Sequence, residues 1–343
     1  MHVQPPVRLP RSAGPVDFRV HGRHRTLGRP APRFGGRIGR APGSGFTADP
    51  HRYHLYVCLA CPRSLRTAIT RSLCGLEDRV SMSVVDPVRD GRGWAFRPGD
   101  GHGLDTVAGF ALLREAYEAT EYHYDGPVSV PVLWDRWSGR IVSNQTPHIL
   151  YDLATAFSDP TPGFRLEHPD AGPPHPVLHP TGAAADLARL GALFDDDVWE
   201  GAQQAGRARA GARYEEAMRT VLDALGRLEH HLSERPFLLG DHLTAADVHL
   251  WTTLLHVDAV HRLHLRAEDV HRIADHPALW NYFERLFANP SFGGNVRLDH
   301  IARHHTSSCR GPAAGGSSVP IVDWPRLTGL PDRPAVGARG ACG

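Results

Sequence analysis

The stretch Tyr53-His54-Leu55-Tyr56-Val57-Cys58-Leu59-Ala60-Cys61-Pro62-Arg63-Ser64-Leu65-Arg66 decides the fold. Its first five residues alternate and are rich in aromatic and branched side chains, as a strand requires. Pro62 suits the first helical position, where a missing N–H costs nothing, so Cys61 falls at or beside a helix N-cap. Leu65, Ala68, Ile69 and Leu73 then share one face of a helix over Leu65–Leu73. A cysteine there meets the positive end of the helix dipole and unpaired backbone N–H groups, which favour thiolate. Arg66, one turn on, adds positive charge. The spacing predicts a nucleophilic Cys61, against the plainer alternative of a small buried hydrophobe. Cys58 completes a Cys-x-x-Cys spacing but lies on the strand side, where a buried residue is the default reading and a resolving thiol the other.

Working outward, Val80–Val85 reads as a second strand and Leu112–Ala119 as a helix. Val128–Trp134 reads as a strand containing Pro131, which demands an edge, a bulge or a cis turn because proline cannot donate to a ladder. Arg140–Val142 follows across a Ser138-Gly139 turn, and Thr146-Pro147 opens a helix through Leu153, with Thr146 as N-cap and Pro147 at N1. This order is that of an α/β thioredoxin-like domain, expected over 48–157. A Pro- and His-rich linker over 158–185 leads to an all-α helical C-terminal domain over 186–309. Its helices are expected over Leu187–Trp199, Ala210–Leu232, Ala245–Val257 and Pro277–Ala288, with a capping box at Thr244-Ala245-Ala246-Asp247. Residues 1–47 read as a disordered extension, with a transit peptide or a misplaced start as alternatives, and 310–343 as a surface or disordered tail.

Composition narrows the function. Among 343 residues, 38 basic side chains balance 37 acidic ones, which leaves no field to hold nucleic acid or an anionic membrane. All 38 basic residues are Arg, which resembles GC-rich coding bias and excludes Schiff-base or phosphate-loop lysine chemistry. No apolar run is long enough to span a bilayer. Five cysteines, an odd number, form no disulfide framework and point to a reducing, cytoplasmic compartment.

Two further features lie where such a domain would hold a thiol peptide. If the Val130-Pro131 bond is cis, Val130 turns its backbone N–H and C=O toward an extended ligand; the alternative is a trans edge-strand proline with none. Gln145 and Thr146 open a helix whose N–H groups attract a carboxylate, or they are an ordinary cap.

Beyond these residues, Gly75-Leu76-Glu77-Asp78, Ser83-Val84-Val85-Asp86-Pro87-Val88, Gly93-Trp94-Ala95-Phe96 and Val130-Pro131-Val132-Leu133-Trp134-Asp135 resemble the glutathionyl-hydroquinone reductases, the Xi-class glutathione transferases. Leu243-Thr244-Ala245-Ala246-Asp247-Val248, Arg272-Ile273-Ala274-Asp275-His276-Pro277-Ala278-Leu279-Trp280 and Asp299-His300-Ile301-Ala302-Arg303-His304 extend the likeness, which covers 46–305. The resemblance implies a homodimer with glutathione, or another low-molecular-weight thiol, as co-substrate and a quinol thioether as substrate. It implies that Cys61 attacks the glutathionyl sulfur and that a second glutathione resolves the mixed disulfide. It assigns Arg63, Trp94, Val130, Pro131, Gln145 and Thr146 to the thiol and Arg66 to activation of the thiolate.

Departures from the family pattern matter as much. The family's Cys-Pro-Trp-Ala-His-Arg is Cys61-Pro62-Arg63-Ser64-Leu65-Arg66 here, and its Glu-Ser pair is Gln145-Thr146. Its three pocket tyrosines align with His261, His305 and Ala208. The two histidines either replace phenols as acids or ligand holders, or are surface residues in a chain with 23 of them. They leave open an ordinary transferase, a thiol-disulfide reductase or an inactive binding paralogue. His300, His304 and His305 offer i, i+4 spacing, but with only Asp299 and the distant Cys309 as further donors the sequence assigns no metal.

Overall fold

The computed structural model describes residues 33–39, 45–157, 175–309 and 320–329. Strand β1 (Tyr53–Val57), helix α1 (Pro62–Leu73), β2 (Val80–Val84), α2 (Leu113–Thr120), β3 (Val132–Asp135), β4 (Arg140–Ser143) and α3 (Thr146–Thr155) form the first half. The sheet order is β2-β1-β3-β4, with β1 parallel to β2 and antiparallel to β3. Alternation along β1 divides the core: Tyr53, Leu55 and Val57 pack with Ala68, Ile149 and Leu153, whereas Tyr56 packs with Phe96, Leu113 and Trp134.

Helix α1 is buried on two sides. Ala68 joins the sheet core, while Leu65, Ile69 and Leu73, at i, i+4, i+8, join the core of the second half. The single apolar face expected from sequence therefore serves two neighbours. Expected elements shift in two places. Strand β3 starts at Val132, after the cis Val130-Pro131 bond, because the ladder begins only where an N–H can donate. In α3 the N-cap is Gln145, with Thr146 as the first helical residue.

The second half holds α4 (Ala184–Ala192), a π-helical segment (Leu193–Glu200), α5 (Gly201–Ala208), α6 (Ala212–Glu234), α7 (Ala245–Ala259), a 3-10 turn (His261–His264), α8 (Ala267–Ala274), α9 (Pro277–Phe287), α10 (Pro290–Gly293), α11 (Leu298–Ser308) and α12 (Trp324–Thr328). Where an ordinary helix was expected through Trp199, the π segment widens the turn and carries Asp195 and Trp199 toward α7 and the turn after it. Helix α7 is buried nearly all round, and its capping box forms as the spacing requires: the backbone N–H and hydroxyl of Thr244 both donate to Asp247. Among the described residues no helix is long and apolar enough to cross a membrane.

The expected N-terminal extension is corrected where it is described, and the C-terminal tail is a docked surface segment over 320–329. Residues 33–39 run along β4, with Gly36 N–H donating to Val142 O at 2.8 Å and Asn144 N–H to Phe34 O at 3.2 Å. Phe34 and Ile38 are buried, and the carboxylate of Asp152 accepts from Ile38 N–H and Arg37. This segment covers an edge strand that would otherwise present unpaired backbone groups. Residues 320–329 dock on buried Asp258, which accepts from Ile321 N–H at 2.7 Å and Trp324 Nε1 at 2.6 Å. Most of the linker and the remainder of both tails lie outside the described residues.

One buried ion pair ties β1 to β3. Arg52 donates through Nε and Nη2 to the two oxygens of Asp135, both at 2.9 Å, and Ser138 Oγ donates to the same carboxylate at 2.7 Å. Asp135 is fully buried, so Asp135→Ala leaves the guanidinium only the more exposed Asp49, 3.2 Å from Nη1, as counter-charge and is expected to cost on the order of 3 kcal/mol in urea unfolding. Arg52→Met/Asp135→Leu, which removes both charges, is expected to cost less.

His54 supplies a pH signature. Its ring bridges Ser81 Oγ at 2.7 Å and Ser83 Oγ at 2.9 Å, and burial pushes its pKa down to about 4. The facing charges are Asp105, which opposes the shift, and Arg136 and Arg71, which reinforce it. Because the folded pKa lies below the unfolded value of about 6.5, the unfolded chain takes the proton first as pH falls. Stability from this residue is complete above that value and drains between it and pH 4, by about 3 kcal/mol. His54→Gln is expected to flatten the fall of unfolding free energy over that window, measured by urea titration at successive pH values.

Candidate active site

The C-terminal ends of β1, β2 and β4 and the N-terminal end of β3 lie at one edge of the sheet. Cys61 follows β1 there as the N-cap of α1, with φ −92° and ψ 123°. It is partly exposed, and Pro62 opens the helix behind it. The first-turn N–H groups have no intrahelical acceptor, and an anion is favoured beside them. Cys61 N–H donates to Cys58 O at 2.9 Å, so the Cys-x-x-Cys spacing closes as a turn. Cys58 itself is fully buried, and burial pushes its thiol up to about 12. That is the state of an inert strand-end cysteine and not of a resolving thiolate.

The other assigned residues arrive from neighbouring elements. The cis bond answers the question left open at Pro131. Continuing the register of Tyr56 opposite Val132 brings Val130, ahead of the ladder, level with Cys58. Gln145 and Thr146 start α3 at the same sheet edge; the Gln145 amide donates to Asn144 Oδ1 at 2.6 Å, and Thr146 is buried. Trp94 is also buried. Its ring stacks on His304 with centroids 5.6 Å apart, and the Arg89 guanidinium lies 5.0 Å from its centre, so it seats α11 of the helical half.

Arg63 is exposed, whereas Arg66 is half-buried and its Nε has no partner among the described residues. Burial lowers the Arg66 pKa, with the charge of Asp195 opposing. Asp195 accepts from His249 Nε2 at 2.8 Å. Burial, then the charge of Arg66, pushes His249 down to about 4, so the ring donates as a neutral imidazole. Partial burial acts upward on Asp195, but the His249 hydrogen bond and the two arginines hold its carboxyl below the ordinary range. With 60% of its side chain exposed, this pair shapes the local field more than it stabilises the fold.

His261 is buried, not a surface residue. Its ring meets Trp199 edge to face at 4.6 Å, its Nε2 has no partner among the described residues, and burial pushes it down to about 3, helped by His256. His305 is half-buried, with its Nε2 2.7 Å from His264 Nε2. Ala208 lines a different place, a cleft of about 710 Å³ between α5 and α6 with Glu200, Arg207, Arg213 and Glu216. No residue of the thioredoxin-like half lines that cleft. The i, i+4 histidines also separate: His300 reaches Asp100 O at 2.7 Å and His304 reaches Pro87 O at 2.7 Å.

The comparisons with known proteins bear on the fold and the family. Residues 211–285 match the family described as glutathione S-transferase, C-terminal domain. Glutathionyl-hydroquinone reductase YqjG of Escherichia coli K12 is 37% identical over 274 residues, 78% of this chain and 80% of that one. The glutathione-bound structure of YqjG superposes with a TM-score of 0.72 at 34% identity, covering 84% of this chain and 94% of that one. The Xi glutathione transferase of Phanerochaete chrysosporium gives a TM-score of 0.68 at 32% identity, covering 81% and 91%. The chain belongs to the glutathionyl-hydroquinone reductases, the Xi class of glutathione transferases.

Within this Xi-class chain, sequence reading missed Asp195, His249 and His256. A signal was present: His249 and His256 lie seven residues apart on a helix otherwise too apolar to face water. His256 is buried, with Nδ1 2.9 Å from Thr252 O and Nε2 3.2 Å from Ala60 O. It is the direct polar tie from α7 to the loop that presents Cys61. Both partners are carbonyls and burial keeps the ring below its ordinary pKa, so a single N–H serves them, and on Nε2 it goes to Ala60 O. His256→Phe removes that donor and is expected to cost about 1–3 kcal/mol. Faster hydrogen exchange at the Cys61 amide, with α9 unchanged, would mark the loss as local; unchanged exchange at Cys61 would overturn this role.

Proposed function

We propose that this chain is a glutathione-dependent reductase of glutathionyl-hydroquinones. The carrying observation is Cys61 at the N-terminus of α1, beside Val130 and the start of α3 at one sheet edge, in a chain with this family membership. In this reading the Cys61 thiolate attacks the glutathionyl sulfur. The S–S bond forms as the aryl C–S bond breaks, and the aryl carbon takes a proton to give free hydroquinone. A second glutathione thiolate then attacks the Cys61 mixed disulfide, releasing oxidised glutathione and restoring the thiolate.

The Val130 backbone would pair with the extended thiol peptide behind Pro131, and Gln145 and Thr146 would hold its γ-glutamyl end at the α3 N-terminus. Arg63 replaces a stacking group with a charge that suits a carboxylate. Arg66 would sustain positive potential beside the sulfur. Trp94, already packed on His304, would bound the thiol site from the side. His261, neutral and with an unpartnered nitrogen, suits a hydroxyl of the quinol as a hydrogen-bond partner and not as a charged acid; His305 would serve the same pocket. The same resemblance supports a homodimer, and the free cysteines Cys58, Cys61, Cys74 and Cys309 fit a reducing cytoplasm. The near-zero net charge supports a small-molecule partner in place of nucleic acid or membrane.

Incubation with a glutathionyl-hydroquinone and excess glutathione tests this reading. Hydroquinone release is expected, falling at least about 1,000-fold in Cys61→Ala, by analogy with the loss of other catalytic nucleophiles. Intact mass should show one glutathione on Cys61. Turnover confined to small mixed disulfides would identify a thiol-disulfide reductase, an outcome that Arg63 and the missing tyrosines would then explain. Absence of the Cys61 adduct would overturn both enzyme readings, once repeated with an alternative low-molecular-weight thiol.

A further inference from the structure

The end of α11 and the turn after α7 bring three soft or borderline donors together. His305 Nε2, His264 Nε2 and Cys309 Sγ all lie within 4.8 Å of one another. The two imidazole nitrogens are 2.7 Å apart, and Cys309 Sγ lies 3.5 Å from His264 Nε2. His305 and Cys309 are four residues apart, and Cys309, the extended C-cap of α11, donates its N–H to His305 O at 2.8 Å, which closes the last turn and brings the two together. His264 ends the 3-10 turn His261–His264 and enters from the opposite side.

We propose that His264, His305 and Cys309 bind a zinc ion. Two donors one helical turn apart with a third from a facing element is a geometry that zinc uses, and a three-residue set leaves one position for water. Zinc–nitrogen and zinc–thiolate bond lengths put ligand atoms about 3.3 Å apart for N and N and about 3.6 Å for S and N. The observed sulfur–nitrogen spacing already matches, while the imidazoles need to part slightly and Cys309 to draw toward His305. Without metal one proton pairs the two Nε2 atoms at 2.7 Å as an N–H···N hydrogen bond, and zinc would take its place. On binding, Cys309 gives up its thiol proton and each imidazole directs its Nε2 lone pair to the metal, the ring proton residing on Nδ1.

The consequence reaches beyond the ligands. Zinc would fasten the end of α11, whose His304 holds Pro87 O and lies on Trp94, to the turn that carries His261. It would also withdraw His305 from direct contact with a quinol and leave His261 for that role. The assignment stands on donor geometry, so failure of the reductase reading leaves it untouched.

Zinc binding to the full chain, stripped with chelator under reducing conditions, provides the test by calorimetry and elemental analysis. One zinc per chain is expected, with affinity falling on the order of 100-fold or more in His264→Ala, His305→Ala and Cys309→Ser, since loss of a ligand should exceed the 10- to 100-fold cost of losing an outer-shell partner. Cys58→Ser/Cys61→Ser should keep the metal. Cobalt substitution gives an independent readout: a thiolate-to-cobalt charge-transfer band present in wild type and absent from Cys309→Ser. Near-ultraviolet circular dichroism identifies any variant that fails to fold, in which case the cobalt spectrum of the wild type decides by the presence or absence of that band. No stoichiometric zinc in wild type, or loss of zinc on changing Cys58 and Cys61 alone, would overturn the proposal.

Discussion

Helix α1 is required by both halves of the molecule at once. Ala68 closes the sheet core on one side, while Leu65, Ile69 and Leu73 enter the core built around α7 on the other. A helix packed this way has no freedom to shift its start, so Cys61 is fixed by interactions distributed along the helix behind it. The Ala60 carbonyl, held from α7 by His256, fixes the same loop from the front. The nucleophile is thus positioned by packing between halves, which is how a chemically plain Cys-Pro turn becomes a defined site.

The surrounding polar groups follow from that placement. Because α1 is covered by the helical half, Arg66 is drawn into the contact and its Nε loses water without gaining a partner among the described residues. Its charge is answered at a distance by Asp195, which the π segment turns toward α7 and which His249 anchors. A regular α-helix over the same residues would present a different face, so the widened segment belongs to the site's construction.

Much of this was legible in the sequence where the signal was local. The strand, the Cys61 N-cap, Pro62 at the first helical position and the Thr244–Asp247 capping box each depend on residues within one turn of one another. What was illegible depends on distant partners. Phe34 and Ile38 lie in a Gly- and Pro-rich stretch with no period, and the covering of β4 by their segment depends on Asp152, more than a hundred residues away. Trp324 docks by donating to Asp258, buried in α7, and by packing edge to face on Phe283 and Phe287. His305 seemed to belong with His300 and His304 by spacing, yet their partners come from Asp100, Pro87 and His264, which spacing within one helix cannot reveal.

In the proposed reading His261 and His305 face the quinol and change what its pocket can hold. Burial keeps His261 neutral, so in that reading the helical side of the pocket offers an imidazole hydrogen bond without charge. On the opposite side Arg63 and Arg66 supply positive potential beside Cys61. A ligand with an anionic thiol-bearing end and an uncharged, hydroxylated ring matches that division within the proposed reading.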